Sequence, residues 1–541
     1  MKTKHLGICI ILVLCIFTFF VNNGILHSDI MEARNIVTAR EMVYDGHWIV
    51  PTMNGEIRIA KPPLPTWIAG AVEKICPNNI AAQRLMPALA ATMLVLFFIL
   101  FALKISNGDI RFAFISALLL LTCYNIVQIG RLATWDIYCH AFMMSAIYFL
   151  FCALTERKKL LRNMIITGIL FGLSFLSKGP VSFYALLLPF IVVLPCLNRI
   201  EMKGRWWSFV VMLVIFMAVS SWWYIYIMLE HPTLAMVAWH KESSAWAGHN
   251  VRPWYYYWNF FTETGVWTVL MLTTLAIPFW LHRIKNKKLY LFAISWTFAQ
   301  LFLLSLMPEK KTRYLVPMMI PCCLSMGCVV NHWVKGKMDK VSNVLFNINV
   351  VTLIIVVLLI SVLLFFLWDK DLMSLALFII SEIVMAEISI IIFSAMYKKN
   401  AFNMVGGIAV LFLFVESALM PSFGRIFSNP NRKSIALTQN DKRLVGMPFY
   451  HNDKECIQIE EVYAANRKIL PMNFCKSSVV RHLPCVIVTE KYAGQELSHE
   501  IIADVDTTFI GRFDDNNRWK LQKHRGRNFV YYVTLLKHKI K

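Results

Sequence analysis

Charged residues are scarce in this chain of 541 amino acids. They make up 16% of the sequence, whereas 58% is hydrophobic and the mean hydropathy is +0.57. A soluble domain has a lower apolar fraction and a larger share of charge. The composition therefore excludes an ordinary soluble protein and predicts a polytopic membrane protein.

Two chemical signatures are also missing from the sequence. The thirteen cysteines show no Cys-x-x-Cys or mixed His/Cys metal spacing, and most of them lie inside apolar runs. We interpret them as small buried hydrophobic residues. No glycine-rich phosphate-binding loop is evident, so the sequence gives no reason to expect a nucleotide substrate.

Charge of one sign is in short supply, because 54 basic residues face only 32 acidic ones. The basic residues form short clusters between apolar runs, which favours membrane topology over nucleic-acid binding. The first segment, "MKTKHLGICIILVLCIFTFFVNNG", resembles a signal peptide. Its apolar run of about 18 residues is long enough to span a bilayer, and no small-residue cleavage site follows it. We therefore predict that it forms the first transmembrane helix.

Apolar runs of spanning length predict about thirteen transmembrane helices. Their approximate bounds are 6–26, 80–104, 110–128, 137–155, 162–177, 180–197, 206–229, 260–282, 288–306, 314–334, 342–368, 372–396 and 400–420.

The connecting loops predict the orientation of these helices. If the N-terminus is cytoplasmic, five short basic loops fall on the cytoplasmic side, as the positive-inside rule requires: 156–162, 198–205, 282–288, 335–340 and 397–400. The other side receives the loops that are rich in aromatic residues and mixed charge, with the tail: 27–79, 129–136, 177–180, 230–259, 307–313 and 368–371. We expect the functional polar residues on this outer face.

The composition changes near residue 420. We predict a transmembrane domain over 1–420, which includes a functional first outer loop at 27–79, and a small extracytoplasmic α/β domain over 421–541. Alternating stretches in the tail, "PCVIVTEKY" and "NFVYYVTLL", predict two of its strands.

The first outer loop begins with a segment that favours a helix. It runs from Asp29 to Tyr44 and stops at Asp45-Gly46, and it is too charged to span, so we expect it to lie along the outer interface. Asp29 and Glu32 are three residues apart and share a face. Two such carboxylates orient a polyhydroxyl ligand or accept a proton. The alternative is a solvated amphipathic helix with internal ion pairs.

The next stretch, "WIVPTMNGEIRIAKPPLPTW", predicts a short hairpin that turns at Asn54-Gly55. The hairpin and the prolines that follow give Arg58 and Lys61 a defined position, and an interfacial helix begins near Trp67. A cation held rigidly at the membrane surface suits a lipid phosphate. The alternative is a lysine that snorkels at a helix start.

Further charged residues cluster at the predicted outer ends of the spans. Such residues near the hydrocarbon usually face a cavity or one another. The aromatic residues around His240 to Arg252 could stack on a sugar, but such residues more often form an interfacial belt. Together they predict a site for an anionic lipid carrier and a polar group attached to it: Arg131, Asp136, Lys178, His240, His249, Arg252, Lys310, Lys311, Arg313 and Tyr314.

Several motifs occur in a familiar order: "EARNIVTAREM", "KPPL", "AAQRLMPAL", "RLATWD", "SKGP" and "PEKKTRYLVP". Over about the first 320 residues, this order resembles the lipid A aminoarabinose transferases, which are relatives of the protein O-mannosyltransferases. The resemblance implies a C-type glycosyltransferase fold with about thirteen helices and a soluble extracytoplasmic C-terminal domain. It also implies transfer of a sugar from a polyprenyl phosphate carrier to a lipid A phosphate, outside the cytoplasmic membrane of a bacterium.

The resemblance carries over to individual positions with two departures. Glu32 matches the family's glutamate in the first loop, but Met31 stands where the family has an aspartate, so we assign Asp29 that role. Lys61 matches the lysine that contacts phosphate, but Ala60 replaces a glutamate that helps to bind a metal.

We therefore predict three catalytic carboxylates and a larger set of substrate-binding residues. The carboxylates are Asp29, Glu32 and Asp136, and the substrate-binding residues are Arg58, Lys61, Arg84, Arg131, Lys178, Arg252, Lys310, Arg313 and Tyr314. His249 is a potential metal ligand, and no cofactor is required, although a divalent metal stays an open question.

The predicted partners are a polyprenyl phosphate-linked sugar, lipid A or another envelope acceptor, and membrane lipids, without nucleic acid. One alternative keeps the fold and replaces lipid A by a protein hydroxyl, as in O-mannosylation, or by another envelope glycan. A second alternative is a flippase or transporter of lipid-linked sugars, for which Glu382, Glu387 and Glu416 inside predicted spans would form a proton path.

Overall fold

The computed structural model describes residues 2–197, 203–248, 250–335, 338–427, 432–516 and 529–539. The chain forms two compact units, which we call the helical unit and the sheet unit. The helical unit comprises Met1–Asn23, Ala60–Pro65 and Arg84–Ser422. The sheet unit comprises Gly24–Ile59, Thr66–Gln83 and Phe423–Lys541.

Helices dominate the described chain. The α-helices are α1 (Lys2–Cys15), α2 (Ile30–Tyr44), α3 (Leu64–Ile75), α4 (Ile80–Ile105), α5 (Ile110–Leu121), α6 (Tyr124–Gly130), α7 (Trp135–Thr155), α8 (Leu160–Lys178), α9 (Leu188–Val193), α10 (Trp206–Glu230), α11 (Pro232–Gly248), α12 (Thr268–Thr274), α13 (Ile277–Leu281), α14 (Lys287–Leu306), α15 (Met319–Val334), α16 (Lys340–Asp369), α17 (Leu375–Lys398), α18 (Ala401–Phe414), α19 (Met420–Phe427), α20 (Ile459–Ala465), α21 (Lys476–Arg481), α22 (Ala493–Glu496) and α23 (His499–Asp504).

Seven strands and several shorter helical turns complete the described part of the chain. The strands are β1 (Thr52–Met53), β2 (Glu56–Ile57), β3 (Phe449–Asn452), β4 (Ile469–Met472), β5 (Cys485–Thr489), β6 (Val505–Asp514) and β7 (Val530–His538). Turns of π-helix lie at Ile16–Phe20, Phe183–Leu187 and Val415–Leu419, and turns of 3₁₀-helix lie at Leu194–Cys196, Trp254–Tyr257, Phe260–Trp267, Thr312–Met318, Ile435–Asn440 and Lys442–Leu444.

Nine helical stretches within the described ranges are long and apolar enough to cross a membrane. The pair α5–α6, bent by 66°, makes a tenth, and two shorter apolar helices lie at Leu6–Phe20 and Phe183–Cys196. Twelve of the thirteen predicted runs therefore coincide with apolar helices, which confirms a polytopic membrane protein.

The predicted run at 260–282 is the exception, because the structure breaks it into short pieces. A 3₁₀ segment is kinked at Gly265, where φ is 67°, and it is followed by α12 and α13. Glycine adopts this conformation without strain, and Pro278 at the start of α13 has no N–H for a preceding turn. Hydropathy alone does not register either break.

Burial differs sharply among the spans of the helical unit. In the most apolar window of Thr312–Val334, 89% of the residues are buried inside the protein, and 78% are buried in that of Trp135–Thr155. The corresponding shares for α16 and α17 are 28% and 22%. The two best-buried spans therefore form the centre of the unit, whereas α16 and α17 expose most of their apolar surface.

A mixed sheet organises the sheet unit, with strand order β4-β3-β5-β7-β6. Strand β3 pairs in parallel with β4 and β5, whereas β7 pairs antiparallel with β5 and β6. Strands β5 and β7 coincide with the two strands expected from alternation in the tail. The prediction of a C-terminal α/β fold is therefore confirmed.

The first outer loop contains the elements expected from its sequence. Helix α2 ends beside Asp45 and Gly46, where the glycine has a φ of 79°. Strands β1 and β2 form the hairpin, and positive φ values of 53° at Asn54 and 82° at Gly55 make its turn. Helix α3 follows the prolines.

These elements belong to the sheet unit, and this grouping differs from the division expected at residue 420. Val37 of α2 lies in the same core cluster as Phe449 and Val486, with Met53 packed against it. The Asn54 side chain donates to the Ile469 carbonyl at 2.7 Å and accepts from the Ile469 N–H at 2.8 Å. Shared apolar burial and these hydrogen bonds attach the loop to the C-terminal chain.

The buried Arg40 side chain connects three segments of the sheet unit. Its guanidinium donates to the Glu73 carboxylate at 3.3 Å, to the Asn78 side chain at 2.7 Å and to the Tyr463 carbonyl at 2.8 Å. It also lies 4.7 Å from the centroid of the Tyr463 ring. Arg40 and Glu73 are 6% and 1% exposed, so each charge depends on its partner in place of water.

Replacing Arg40 by methionine will therefore destabilise the sheet unit by about 3–5 kcal/mol, because the Glu73 carboxylate stays buried without its cation. The matched control is Arg443→Met, whose ion-pair partner Asp441 lies at the surface. Thermal unfolding of the full-length protein in detergent, followed by proteolysis of the sheet unit, measures both variants. Equal melting temperatures for the two variants would contradict the role given to Arg40.

Candidate active site

A buried ion pair joins two antiparallel spans of the helical unit. Asp136 lies in the first turn of α7, and Lys178 is the last residue of α8. The Lys178 ammonium contacts the Asp136 carboxylate, and their side chains are 7% and 1% exposed. Helix α8 stops there because Gly179 adopts a φ of 68°. The short loop predicted at 177–180 coincides with this turn.

The "PEKKTRYLVP" segment brings a second carboxylate and more cations to this pair. Tyr314 donates to the Glu309 carboxylate at 3.1 Å, and the Lys311 ammonium forms an ion pair with Glu309. The Lys178 and Lys311 ammonium groups lie 5.2 Å and 5.9 Å from the centroid of the Tyr314 ring. The Tyr314 ring thus lies close to two cations.

Arg313 adds a further cation, close enough to Asp136 and Lys178 for its charge to act on both. Two buried polar atoms of this group, Asp136 Oδ2 and Arg313 Nε, have no hydrogen-bond partner among the described residues. Buried polar atoms are almost always paired in folded proteins. Both atoms therefore have hydrogen-bonding capacity left for a polar ligand.

A neighbouring segment fixes the backbone of this cluster. The Arg252 N–H donates to the Pro308 carbonyl at 3.3 Å, and the Lys310 N–H donates to the Asn250 carbonyl at 3.2 Å. The Arg252 side chain is exposed. The Lys310 ammonium turns back to the Met307 carbonyl, and burial lowers its pKa below the usual value for lysine.

We call Asp136, Lys178, Glu309, Lys311, Arg313 and Tyr314 the charged cluster. It contains three cations and two carboxylates at the ends of the two best-buried spans. In this partly desolvated setting, the excess positive charge favours a bound anion, and phosphate accepts hydrogen bonds from lysine, arginine and tyrosine.

Two other predicted substrate-binding residues have structural partners inside the helical unit. Arg131 donates to the carbonyls of Thr18 and Val21 at 2.7 Å and 2.8 Å, and its guanidinium lies 3.0 Å from the Glu416 carboxylate. The predicted proximity of Arg131 to the end of a span is confirmed. Its contacts, however, tie the first helix to the π-helical turn at Val415–Leu419.

Arg84 is 1% exposed and donates to the Asn23 carbonyl at 2.7 Å. A role in substrate binding for Arg84 stays a prediction, as it does for Arg131.

In the sheet unit, Asp29 and Glu32 form a capping box at the start of α2. The Asp29 carboxylate accepts from the N–H groups of Met31 and Glu32 at 2.8 Å, and the Glu32 carboxylate accepts from the Asp29 N–H at 3.3 Å. Both carboxylates therefore have a structural role, because they cap the start of α2. The spacing of the two residues alone did not predict this role. Their catalytic role stays a prediction.

The two cations that follow the hairpin along the chain, Arg58 and Lys61, belong to different units. Arg58 donates to the Arg34 carbonyl and to the Thr38 hydroxyl, both at 3.2 Å, within the sheet unit. Lys61 belongs to the helical unit, is partly buried and precedes the buried Pro62 and Pro63. A rigid position for Lys61 and its contact with phosphate stay predictions.

The described part of the chain contains no group of three His, Cys, Asp or Glu residues that could hold a metal ion. His249, the predicted ligand, lies outside the described residues.

Sequence reasoning missed Glu309 and the pairing of Glu416. Glu309 stands inside the quoted "PEKK" motif, and its place beside two lysines was the available signal. Glu416 is paired with Arg131 across 285 positions of the chain, a partnership that no local pattern indicates.

The helical spans, together with the C-terminal sheet, define a polytopic membrane protein with a C-type glycosyltransferase fold. Solved structures with this fold include ArnT from Cupriavidus metallidurans bound to undecaprenyl phosphate. That structure matches 98% of this chain and 97% of its own, with a TM-score of 0.69 and 14% sequence identity. The apo state of the same protein matches with a TM-score of 0.65.

Sequence comparisons give the same relationship. An undecaprenyl phosphate-alpha-4-amino-4-deoxy-L-arabinose arabinosyl transferase of Pseudomonas fluorescens (strain Pf0-1) is 26% identical over 341 residues, which cover 61% of this chain and 58% of that protein. Its counterpart in Serratia proteamaculans (strain 568) is 25% identical over 338 residues, or 61% and 59%. The matches span less than two thirds of these relatives.

A family model described as dolichyl-phosphate-mannose-protein mannosyltransferase matches residues 60–225. The resemblance inferred from the motifs, to aminoarabinose transferases and their mannosyltransferase relatives, is therefore confirmed.

Stability measurements on single and double variants will show whether Asp136 and Lys178 act as a pair. Lys178→Met leaves the buried carboxylate without its cation, so we expect it to destabilise the protein more than the double variant Lys178→Met/Asp136→Asn. The coupling free energy should be about 0.5–3 kcal/mol, from thermal unfolding in detergent. The exposed pair Lys476–Asp504, changed in the same way, should show no measurable coupling. Additive effects at Asp136 and Lys178 would contradict the pairing.

Proposed function

We propose that this protein is an integral membrane glycosyltransferase. It moves a sugar, aminoarabinose or a related one, from an undecaprenyl or other polyprenyl phosphate carrier to a lipid A phosphate. In this proposal the protein lies in the inner membrane of a bacterium, and the reaction takes place at the periplasmic face, where the C-terminal domain also lies.

The charged cluster carries the proposal. Lys178, Lys311 and Arg313 outnumber the two carboxylates beside them, and Arg313 Nε is buried without a described partner. A lipid phosphate supplies the missing negative charge and the missing acceptor. The matches to undecaprenyl phosphate-dependent arabinosyl transferases, and to a structure bound to undecaprenyl phosphate, support the same donor class.

The leaving group explains why cations are needed more than a general acid. When the bond between the sugar and the carrier breaks, a phosphodiester becomes a phosphomonoester, which departs as an anion with low proton affinity. Positive charges placed beforehand stabilise the charge that develops on that phosphate. We assign this role to Lys61 and to the cations of the charged cluster, with Arg252 nearby on the chain segment paired to 308–310.

The acceptor determines whether a base is required. A lipid A phosphate is already a nucleophilic anion, so attack at the anomeric carbon needs little proton transfer and inverts the configuration. A hydroxyl acceptor would need a carboxylate to take its proton. Asp29, Glu32 and Asp136 are the candidates, and Asp136 has an unpaired buried oxygen.

The acceptor is also where a second candidate function differs. A protein hydroxyl or another envelope glycan could replace lipid A on the same fold. Two observations favour this alternative: the family model that matches residues 60–225 is named for a protein mannosyltransferase, and Met31 and Ala60 depart from the aminoarabinose transferase motifs. A flippase is the weaker alternative, because Glu416, one of the three carboxylates of the proton path that it would need, has a structural partner in Arg131.

The first test is transfer of radiolabelled sugar from polyprenyl phosphate donors to lipid A in membranes that contain the protein. We expect label in lipid A with the wild type and a fall of about 10²–10³-fold with Lys61→Ala, as for the loss of one group that stabilises charge in a transition state. Lys285→Ala, which changes an exposed lysine of the 282–288 loop, is the matched control and should retain activity.

Two conservative variants separate catalysis from helix capping. Asparagine caps a helix as well as aspartate does, and glutamine preserves the capping box. Asp29→Asn and Glu32→Gln therefore remove charge while they keep the start of α2 intact. Loss of transfer in either variant with unchanged thermal stability would assign that carboxylate to the reaction. Label that appears in protein or another glycan would overturn lipid A as acceptor, and no transfer from any donor would overturn the glycosyltransferase.

A further inference from the structure

A second polar site lies at the end of α7 and α8 remote from Asp136 and Lys178. These helices run antiparallel, and the short link between Thr155 and Leu160 joins their other ends. With 21 residues in α7 and a rise of about 1.5 Å per residue, the two ends are about 30 Å apart. A cavity of 260 Å³ opens at this link, beside the end of α4. It is therefore separate from the charged cluster.

The lining of this cavity is strongly basic. Four cations contribute to it, with Glu156 as the single carboxylate among its lining residues: Lys104, Lys158, Lys159 and Arg162. The Lys104 ammonium is paired with Glu156. The other three cations have no carboxylate in the lining to neutralise them, so the cavity favours an anion.

The site is organised beyond a loose cluster of surface lysines. The Arg162 guanidinium donates to the buried Asn163 side chain through two nitrogens, at 3.3 Å and 3.0 Å, which holds it in one orientation. Lys159 adopts a left-handed conformation, with a φ of 62°, at the start of α8. An arginine fixed in this way loses little entropy when it binds an anion.

Two aromatic residues also contribute to the lining of the cavity. Tyr148 and Phe149 line it, and both rings pack against Phe97 at centroid distances of 5.7 Å and 5.6 Å. Leu161, in the first turn of α8 next to Arg162, is 49% exposed. A ligand with an anionic head and an apolar continuation matches the basic and the aromatic residues of the lining together with this exposed leucine.

The volume of the cavity limits the size of the ligand that it can hold. Pockets for drug-sized molecules enclose about 300–1,000 Å³, so this cavity accommodates a headgroup better than a nucleotide or another large soluble anion. Basic pockets between transmembrane helices are known binding places for anionic lipid headgroups. We propose that this cavity binds the phosphate of an anionic phospholipid headgroup, while the acyl chains stay in the bilayer beside Leu161.

Native mass spectrometry of the full-length, delipidated protein tests this proposal, with phosphatidylglycerol, phosphatidylethanolamine and inorganic phosphate as probes. The main variant is Lys158→Gln/Lys159→Asn/Arg162→Gln, in which asparagine suits the positive φ at residue 159. All three side chains are exposed, so the variant should fold. We expect its affinity for phosphatidylglycerol to fall at least about tenfold, a change of about 1.4 kcal/mol.

Two further variants make the test specific. Lys285→Gln/Lys287→Gln/Lys288→Gln removes the same charge from the exposed 282–288 loop and should bind phosphatidylglycerol like the wild type. Glu156→Gln removes the carboxylate that neutralises Lys104, so it should bind the lipid several-fold more tightly.

Each other outcome counts against the proposal. Equal losses in both triple variants would reduce the effect to net charge and overturn the site, as would unchanged binding in the first variant. Equal binding of phosphatidylethanolamine would overturn the anionic class. Binding of inorganic phosphate without phosphatidylglycerol would retain the phosphate site and overturn its lipid source.

Discussion

A charge that is withdrawn from water must find a partner, and this constraint determines which distant segments of the chain meet. In the sheet unit, Arg40 satisfies it through Glu73 and through the carbonyl of Tyr463, more than 400 positions away. In the helical unit, Arg131 and Glu416 satisfy it by pairing with each other, although Arg131 follows α6 and Glu416 lies in the π-helical turn at Val415–Leu419. Because the desolvation cost of an unpaired ion is several kcal/mol, each pair excludes arrangements in which its segments separate.

The third such pair, Asp136 with Lys178, differs from the others in what surrounds it. Arg40 and Arg131 donate to several backbone or side-chain acceptors around them, whereas Arg313, close to Asp136 and Lys178, keeps a buried nitrogen without a described partner. The first two arginines are thus saturated by the protein. Arg313 retains hydrogen-bonding capacity for another molecule, and this capacity is one basis for the site that we propose at the charged cluster.

Helices and turns could be predicted well from the sequence, whereas contacts between distant residues could not. Spanning helices could be recognised because about 20 apolar residues are needed to cross the hydrocarbon, and twelve of the thirteen runs coincide with apolar helices. The hairpin at Asn54-Gly55 and the end of α2 at Asp45 follow from local backbone preferences. Spacing placed Asp29 and Glu32 on one face but could not reveal their mutual capping. The grouping of the first outer loop with the C-terminal sheet depends on tertiary burial of Val37, which no window of sequence contains.

The turn at Asn54 also affects the edge of the C-terminal sheet. Strand β4 is an edge strand, and an edge presents unpaired N–H and C=O groups on which a strand of another molecule could assemble. The Asn54 side chain occupies both the N–H and the C=O of Ile469, the first residue of that strand. Leu470, the next residue, lies close to Gly55. A Cβ atom added at Gly55 would come within 2.9 Å of the Leu470 Cδ2. The hairpin therefore occupies the backbone groups at this end of the edge, with which a strand of another molecule would otherwise pair.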